Sequence, residues 1–295
     1  MEGAFKEQDM IAFYIILVAS LVAINGAVLG SFMMLRRMSM MCDAIVHAVL
    51  PGLVIAYLIT TSRGSIAMMA GAIGSGILAT AIIEYVQFKI RISSEASIGL
   101  TFTTLFSIGI ILLARFAGQV ELDQDCVLFG ELAYVPLDLW ITDGGTNMGP
   151  YPVWSLGLLT LAVLVFTLIG FRPLLLATFD SQFAEQSGTQ VRLWHYALML
   201  MVSLFTVTSF HSVGAVMVMG FFILPPATAY LLSKNVKSLI ALACVIGVAC
   251  VILGYFLAFY FNVSIAGAII VLNGFTFGIT AISQSFKRIR LKTAS

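Results

Sequence analysis

Apolar stretches of about 20 residues recur along this 295-residue chain, and nothing else in the sequence constrains its fold as strongly. At 1.5 Å per residue, a helix of that length spans a hydrocarbon core of about 30 Å. Such runs lie at 11–35, 43–60, 65–88, 97–116, 152–171, 191–211, 213–232, 238–260 and 264–283. The count is eight or nine spans, because Pro225 and Pro226 make 213–232 readable as a broken or re-entrant segment. A content of 60% hydrophobic and 10% charged residues excludes a soluble domain. The expected fold class is therefore all-α, a polytopic helical membrane protein with one transmembrane domain over residues 1–295. The opening "MEGAFKEQDM" carries no basic n-region, so the first span is expected to be retained.

Charge in the short loops orients the spans. Arg36 and Arg37, Lys89 and Arg91, Arg172, Arg192, Lys234 and Lys237 fall at alternate ends, as does the basic tail at 286–295. By the positive-inside rule these ends, and with them the C-terminus, face the cytoplasm of a bacterial inner or plasma membrane. Arg63 is an exception in one short loop. The stretch 121–150 then lies outside or forms a shallow re-entrant element, and its acids Glu121, Asp123 and Asp125 read as solvated charges. A net charge of +1 without a basic stripe excludes nucleic acid as a partner and leaves lipid. Cys42, Cys126, Cys244 and Cys250 have no CxxC spacing and read as small core residues.

Against this background one pair of ionisable residues stands out. Asp43 and His47, in "MCDAIVHAVLPG", are four residues apart and, at 1.5 Å per residue, are expected roughly 10 to 15 Å into the second span from the Arg37 end, beyond easy reach of headgroups or water. That spacing puts both side chains on one helical face, about 5 to 6 Å apart, where a carboxylate oxygen and an imidazole nitrogen converge on one ion. Oxygen plus imidazole suits Mn²⁺, Zn²⁺ or Fe²⁺. Pro51 cannot donate to the His47 carbonyl, and Gly52 permits close approach of another helix. A metal transit site is the reading adopted; a neutral Asp–His packing pair and a proton relay are the alternatives. Other ionisable groups, Glu84, Glu95, Arg115, His195 and His211, fall near span ends, within reach of headgroups or water. Glu95, after Ser93 and Ser94, reads as a first-turn helix charge.

The chain carries neither a G-x-x-x-x-G-K-[ST] phosphate cradle nor an HExxH motif, so it is not expected to be an enzyme. Energy must come from a partner or an ion gradient. The longest inner loop, "ATFDSQFAEQSGTQVRLW", predicts a short helix at 180–188. Asp180 fits its N-cap, Phe183 and Ala184 lie on it, and Gly188 fits the C′ position. Such a helix could fill a groove on a soluble ATPase subunit.

The segments "GSFMMLRRMSMMCDAIVHAVLPGLVIAYL", "SSEASIGLTFT", "DCVLFGEL", "LLATFDSQFAEQSG", "SVGAVMVMGFFILPPATAYLL" and "VSIAGAIIVLN" occur in this order from Gly30 to Asn273. Together they resemble the metal-ion permease subunit of bacterial binding-protein-dependent ABC importers for manganese, zinc or iron. The resemblance implies a type II importer fold with two permease subunits, identical or paralogous, two cytoplasmic ABC ATPase subunits and an extracytoplasmic metal-binding solute-binding protein. It implies that Asp43 and His47 hold the metal in transit and that the segment from Asp180 to Gly188 is the ATPase-coupling helix. The metal is cargo, with no permanently bound cofactor implied. His211, just before "SVGA", is a candidate outer-face ligand for the incoming ion, against the plainer reading of an interfacial histidine. The alternative function is a stand-alone proton-coupled metal carrier, in which the Asp43–His47 pair exchanges a proton for the ion.

Overall fold

A computed structural model describes residues 2–60, 65–116, 132–141 and 147–293. Helices dominate it: α1 (Glu2–Leu35), α2 (Met41–Thr60), α3 (Ser65–Tyr85) and α4 (Ser94–Phe116) come first. A π-helical turn, Val86–Ile90, prolongs α3. After a 3₁₀ turn (Leu132–Leu137) and a hairpin of β1 (Leu139–Ile141) and β2 (Asn147–Pro150) come α5 (Tyr151–Phe179) and the short α6 (Ser181–Gln186). The chain continues through α7 (Val191–Val213), α8 (Ala215–Leu232), α9 (Val236–Phe261) and α10 (Ile265–Thr293). Among the described residues nine helices, all but α6, are long and apolar enough to cross a membrane.

The central helix is α1. Val18, Ala19, Val22, Ala23, Ala27 and Leu29 along it are fully buried, and it packs against α5, α8 and α9. A second group forms around α2, which packs on α3 and α4, with α7 touching both groups. Large apolar residues such as Leu168, Ile169, Phe259 and Tyr260 remain exposed, as lipid-facing positions must.

The segment with two prolines is one continuous helix, not a broken one. The chain turns at Gly214, whose φ of +82° only glycine adopts without strain, and α8 then runs unbroken through Pro225 and Pro226. Those prolines leave the carbonyls of Phe221 and Phe222 without their i+4 donors. Both carbonyls face α1 where it carries Gly26 and Gly30. A Cβ on Gly26 would lie 3.1 Å from the Phe221 oxygen, and one on Gly30 would lie 2.1 Å from the Phe222 oxygen. The bare glycine backbone thus packs directly over the two freed acceptors. This close packing is why the double proline does not end the helix.

At the start of α5 an aromatic cluster gathers. Trp140 on β1 meets Tyr151 and Trp154 edge to face, at 6.2 and 6.1 Å between ring centres. Trp154 Nε1 donates to the Met148 carbonyl at 2.9 Å. The strands pair antiparallel, with Leu139 opposite Pro150 and Ile141 opposite Asn147. The described residues ahead of α5, 132–141 and 147–150, therefore form a small folded element with amphipathic rings at the head of a span, where they suit a membrane–water interface. "DCVLFG" and the acids Glu121, Asp123 and Asp125, like Cys126 and Arg63, lie outside the described residues.

Candidate metal-transit site

The turn joining α1 to α2 fixes where the pair sits. Met38 N donates to the Met33 carbonyl at 2.9 Å and Arg37 N to the Met34 carbonyl at 3.0 Å, the two bonds of a Schellman cap. Arg37 occupies the left-handed position, φ +59°, that glycine usually fills, and Met38 is buried beside Met33. Helix α2 begins three residues later at Met41, so Asp43 falls in its first turn. A carboxylate there sits beside the positive end of the helix dipole.

His47 Nε2 lies 3.3 Å from Asp43 Oδ1. The two side chains keep 25% and 40% of their surface open, so the pair is neither sealed in the core nor fully solvated. Aromatic rings of α4 close one side: Phe106 meets the imidazole edge to face at 5.4 Å, and Phe102 lies tilted at 5.6 Å. Below the pair α2 is clamped. A Cβ on Gly52 would fall 2.3 Å from the Gly71 carbonyl oxygen of α3, and one on Gly109 of α4 would fall 3.0 Å from Pro51. Ser75 of α3 also donates its hydroxyl to the Ala48 carbonyl. Both neighbours thus grip the helix within two turns of His47, which fixes the face that carries the pair.

Among the described residues no group of three or more His, Cys, Asp or Glu side chains gathers into a metal site. Among the described residues, Asp43 and His47 are thus two potential side-chain ligands at this place, fewer than a transition metal takes.

The loop between α5 and α7 forms the short helix expected of it. Asp180 Oδ1 accepts from Phe183 N at 2.9 Å, capping α6 at its start. Gly188, at φ +79°, ends it, with Gly188 N donating to the Glu185 carbonyl at 3.1 Å and Thr189 N to the Ala184 carbonyl at 3.0 Å. Ala184 is buried against the protein, whereas Phe183 is 55% exposed. An exposed phenylalanine held on a doubly capped turn is a rigid apolar knob. His211 falls in the last turn of α7, and its side chain lies outside the described residues. Glu95 is in the first turn of α4, where Ser93 Oγ accepts from Ala96 N at 3.4 Å.

Depth along the helices misplaces two groups. Glu84 and His195 were expected to reach water or headgroups, yet Glu84 is 4% exposed and lies 2.6 Å from His195 Nε2. The partner of Glu84 is on α7, not Lys89 a turn away on its own helix. Arg36, at the end of α1, donates from Nη1 to His195 Nδ1 at 2.9 Å and from Nε to Thr178 Oγ1 of α5 at 3.0 Å. Burial pulls the Arg36 guanidinium down to about 10, which leaves it charged at neutral pH. A part-buried cluster of charged and polar side chains thus ties together the ends of four helices, and no motif in the sequence announces it.

The chain matches the ABC 3 transport family over residues 8–284. It is 40% identical over 261 residues to the manganese transport system membrane protein MntD of Bacillus subtilis (strain 168), covering 88% of each chain. It is 36% identical to the zinc transport system membrane protein TroD of Treponema pallidum (strain Nichols), over 90% of this chain and 72% of that one. Its fold superimposes on PsaBC from Streptococcus pneumoniae, solved in complex with Fab, with a TM-score of 0.74, 30% identity and 95% coverage of both chains. The nine spans, the capped short helix and these similarities over nearly the whole length lead to one assignment: the chain belongs to the ABC 3 transport family and is a multi-span membrane permease.

Proposed function

We propose that this permease carries a divalent transition metal, Mn²⁺ or Zn²⁺ foremost and Fe²⁺ by the same ligand chemistry, into a bacterial cell. It does so as the membrane subunit of an ATP-driven importer, with Asp43 and His47 holding the ion in transit. The observation that carries this reading is the Asp43–His47 pair, 3.3 Å apart on one face of α2 and partly open. Relatives named for manganese and zinc transport support the cargo class. An oxygen and an imidazole nitrogen suit these metals, and a site of few ligands releases as readily as it binds.

Two ligands per chain suit a site completed by a second permease, identical or paralogous, whose own pair meets this one across a two-fold axis. The partial exposure of Asp43 and His47 in the single chain is consistent with that arrangement. On the inner side α6 presents Phe183 to one of two ABC ATPase subunits, with Asp180 and Gly188 holding the helix and Ala184 seating it. An extracytoplasmic solute-binding protein delivers the metal to the opposite face, and the C-terminus of α10 lies in the cytoplasm.

The test is uptake of radiolabelled manganese and zinc by cells that make the permease with its ATPase. ATP-dependent uptake, abolished by a hydrolysis-dead ATPase, is the expected result. Uptake that persists without ATP and follows an imposed proton gradient would replace this reading with a proton-coupled carrier.

A further inference from the structure

Arg36, His195 and Glu84 form a chain of opposite charges with a neutral ring in the middle. Because the Arg36 guanidinium can only donate, His195 Nδ1 must accept, and the ring proton sits on Nε2, facing Glu84. The outer members of this chain have capacity to spare. Arg36 Nη2 is buried without a hydrogen-bond partner among the described residues, and Glu84, which His195 Nε2 faces at 2.6 Å and the Tyr196 hydroxyl also reaches, is a buried carboxylate with lone pairs to spare. A spare donor and a spare acceptor of opposite charge, both buried, stand one imidazole apart. Leaving such groups unsatisfied is costly, and direct pairing would satisfy both at once.

We infer that His195 is a displaceable spacer between Arg36 and Glu84, and that its withdrawal lets them pair directly, drawing the inner ends of α1 and α3 together. The cluster therefore has two arrangements. In the one seen, the imidazole separates the helix ends; in the other, the arginine and the glutamate, both long and flexible, close across the gap. Its placement ties this to transport. Thr178, which accepts from Arg36, is two residues from the Asp180 cap of α6. Arg36 itself begins the turn that leads to Asp43. A displacement of α6 thus reaches α1, α3 and the metal-bearing α2 through one part-buried cluster. The three residues are positioning residues, since none touches the cargo site. This role rests on the ATP-driven reading above.

The test uses the full importer, permease with ATPase and binding protein, in proteoliposomes, and measures both metal uptake and ATP hydrolysis. His195→Ala, which frees Arg36 to close on Glu84, is expected to lower the metal carried per ATP about tenfold while the complex still assembles. His195→Ala combined with Glu84→Gln is expected to recover most of that loss, because the direct charged pair can no longer form. A merely structural cluster behaves the opposite way, each removal adding to the damage. A double variant no better than His195→Ala, or an uptake per ATP unchanged in His195→Ala, overturns the spacer alone. Failure of both His195→Ala and His195→Gln to assemble makes the histidine a structural prop and also overturns it. A wild-type importer with no ATP-dependent metal uptake instead overturns the transport reading, and the spacer with it.

Discussion

Gly52 on α2 and Gly71 on α3 meet backbone to backbone. A Cβ built on Gly52 would lie 2.3 Å from the Gly71 carbonyl oxygen, and one built on Gly71 would lie 2.5 Å from the Gly52 oxygen. This contact is five residues beyond His47 and sets how α2 presents its polar face. Gly52→Leu should force the helices apart at a cost of about 1–3 kcal/mol. Detergent-titrated unfolding would read this as a lower midpoint, and an unchanged midpoint would show that the contact yields freely.

Each end of α6 depends on a local device. Asp180→Ala removes the bond accepted from Phe183 N and should cost the helix about 1 kcal/mol. Gly188→Ala puts a Cβ at φ +79° and should cost a similar amount, about 1 kcal/mol. Amide exchange over residues 180–190 should speed up in either variant while the spans stay protected. Equal protection in variant and wild type would mean that packing of Ala184 alone holds the turn.

Phe183 offers a sharper separation of folding from coupling. At 55% exposure, Phe183→Glu should alter stability by no more than about 0.5 kcal/mol. Recovery of the ATPase subunit with the purified permease should nonetheless fall at least about tenfold, as expected for an aromatic anchor. Normal co-purification would remove Phe183 from the interface.

Deep in the bundle Asn25 Nδ2 of α1 donates to Thr160 Oγ1 of α5 at 2.8 Å, and both residues are buried. Thr160→Val should strand the amide and cost between about 0.6 and about 1.7 kcal/mol, the range of hydrogen bonds between membrane helices. The same unfolding titration measures it, and a neutral result would mean that Asn25 finds another partner.

The existence and order of the spans were legible because length and apolarity alone decide whether a segment can cross a bilayer. So was α6, whose cap and C′ residues signal through local backbone geometry. The continuity of α8 was not legible, because what sustains it is contact with Gly26 and Gly30, about two hundred residues earlier in the chain. Glu84 and His195 escaped for a related reason. Counting residues along a helix yields depth but not the face, and the cluster they join draws on four separate helices. The Asp43–His47 pair was visible because i,i+4 spacing is local, whereas the grip of α3 and α4 around it is not.

The most direct test of the central claim is metal uptake by cells carrying Asp43→Ala or His47→Ala, with membrane abundance and ATPase co-purification measured in each. With the protein abundant and assembled, uptake should fall at least about tenfold in both variants, because each removes one of the two side chains proposed to hold the ion. Uptake equal to wild type would reduce the pair to buried polar packing and place the ion path elsewhere in the bundle.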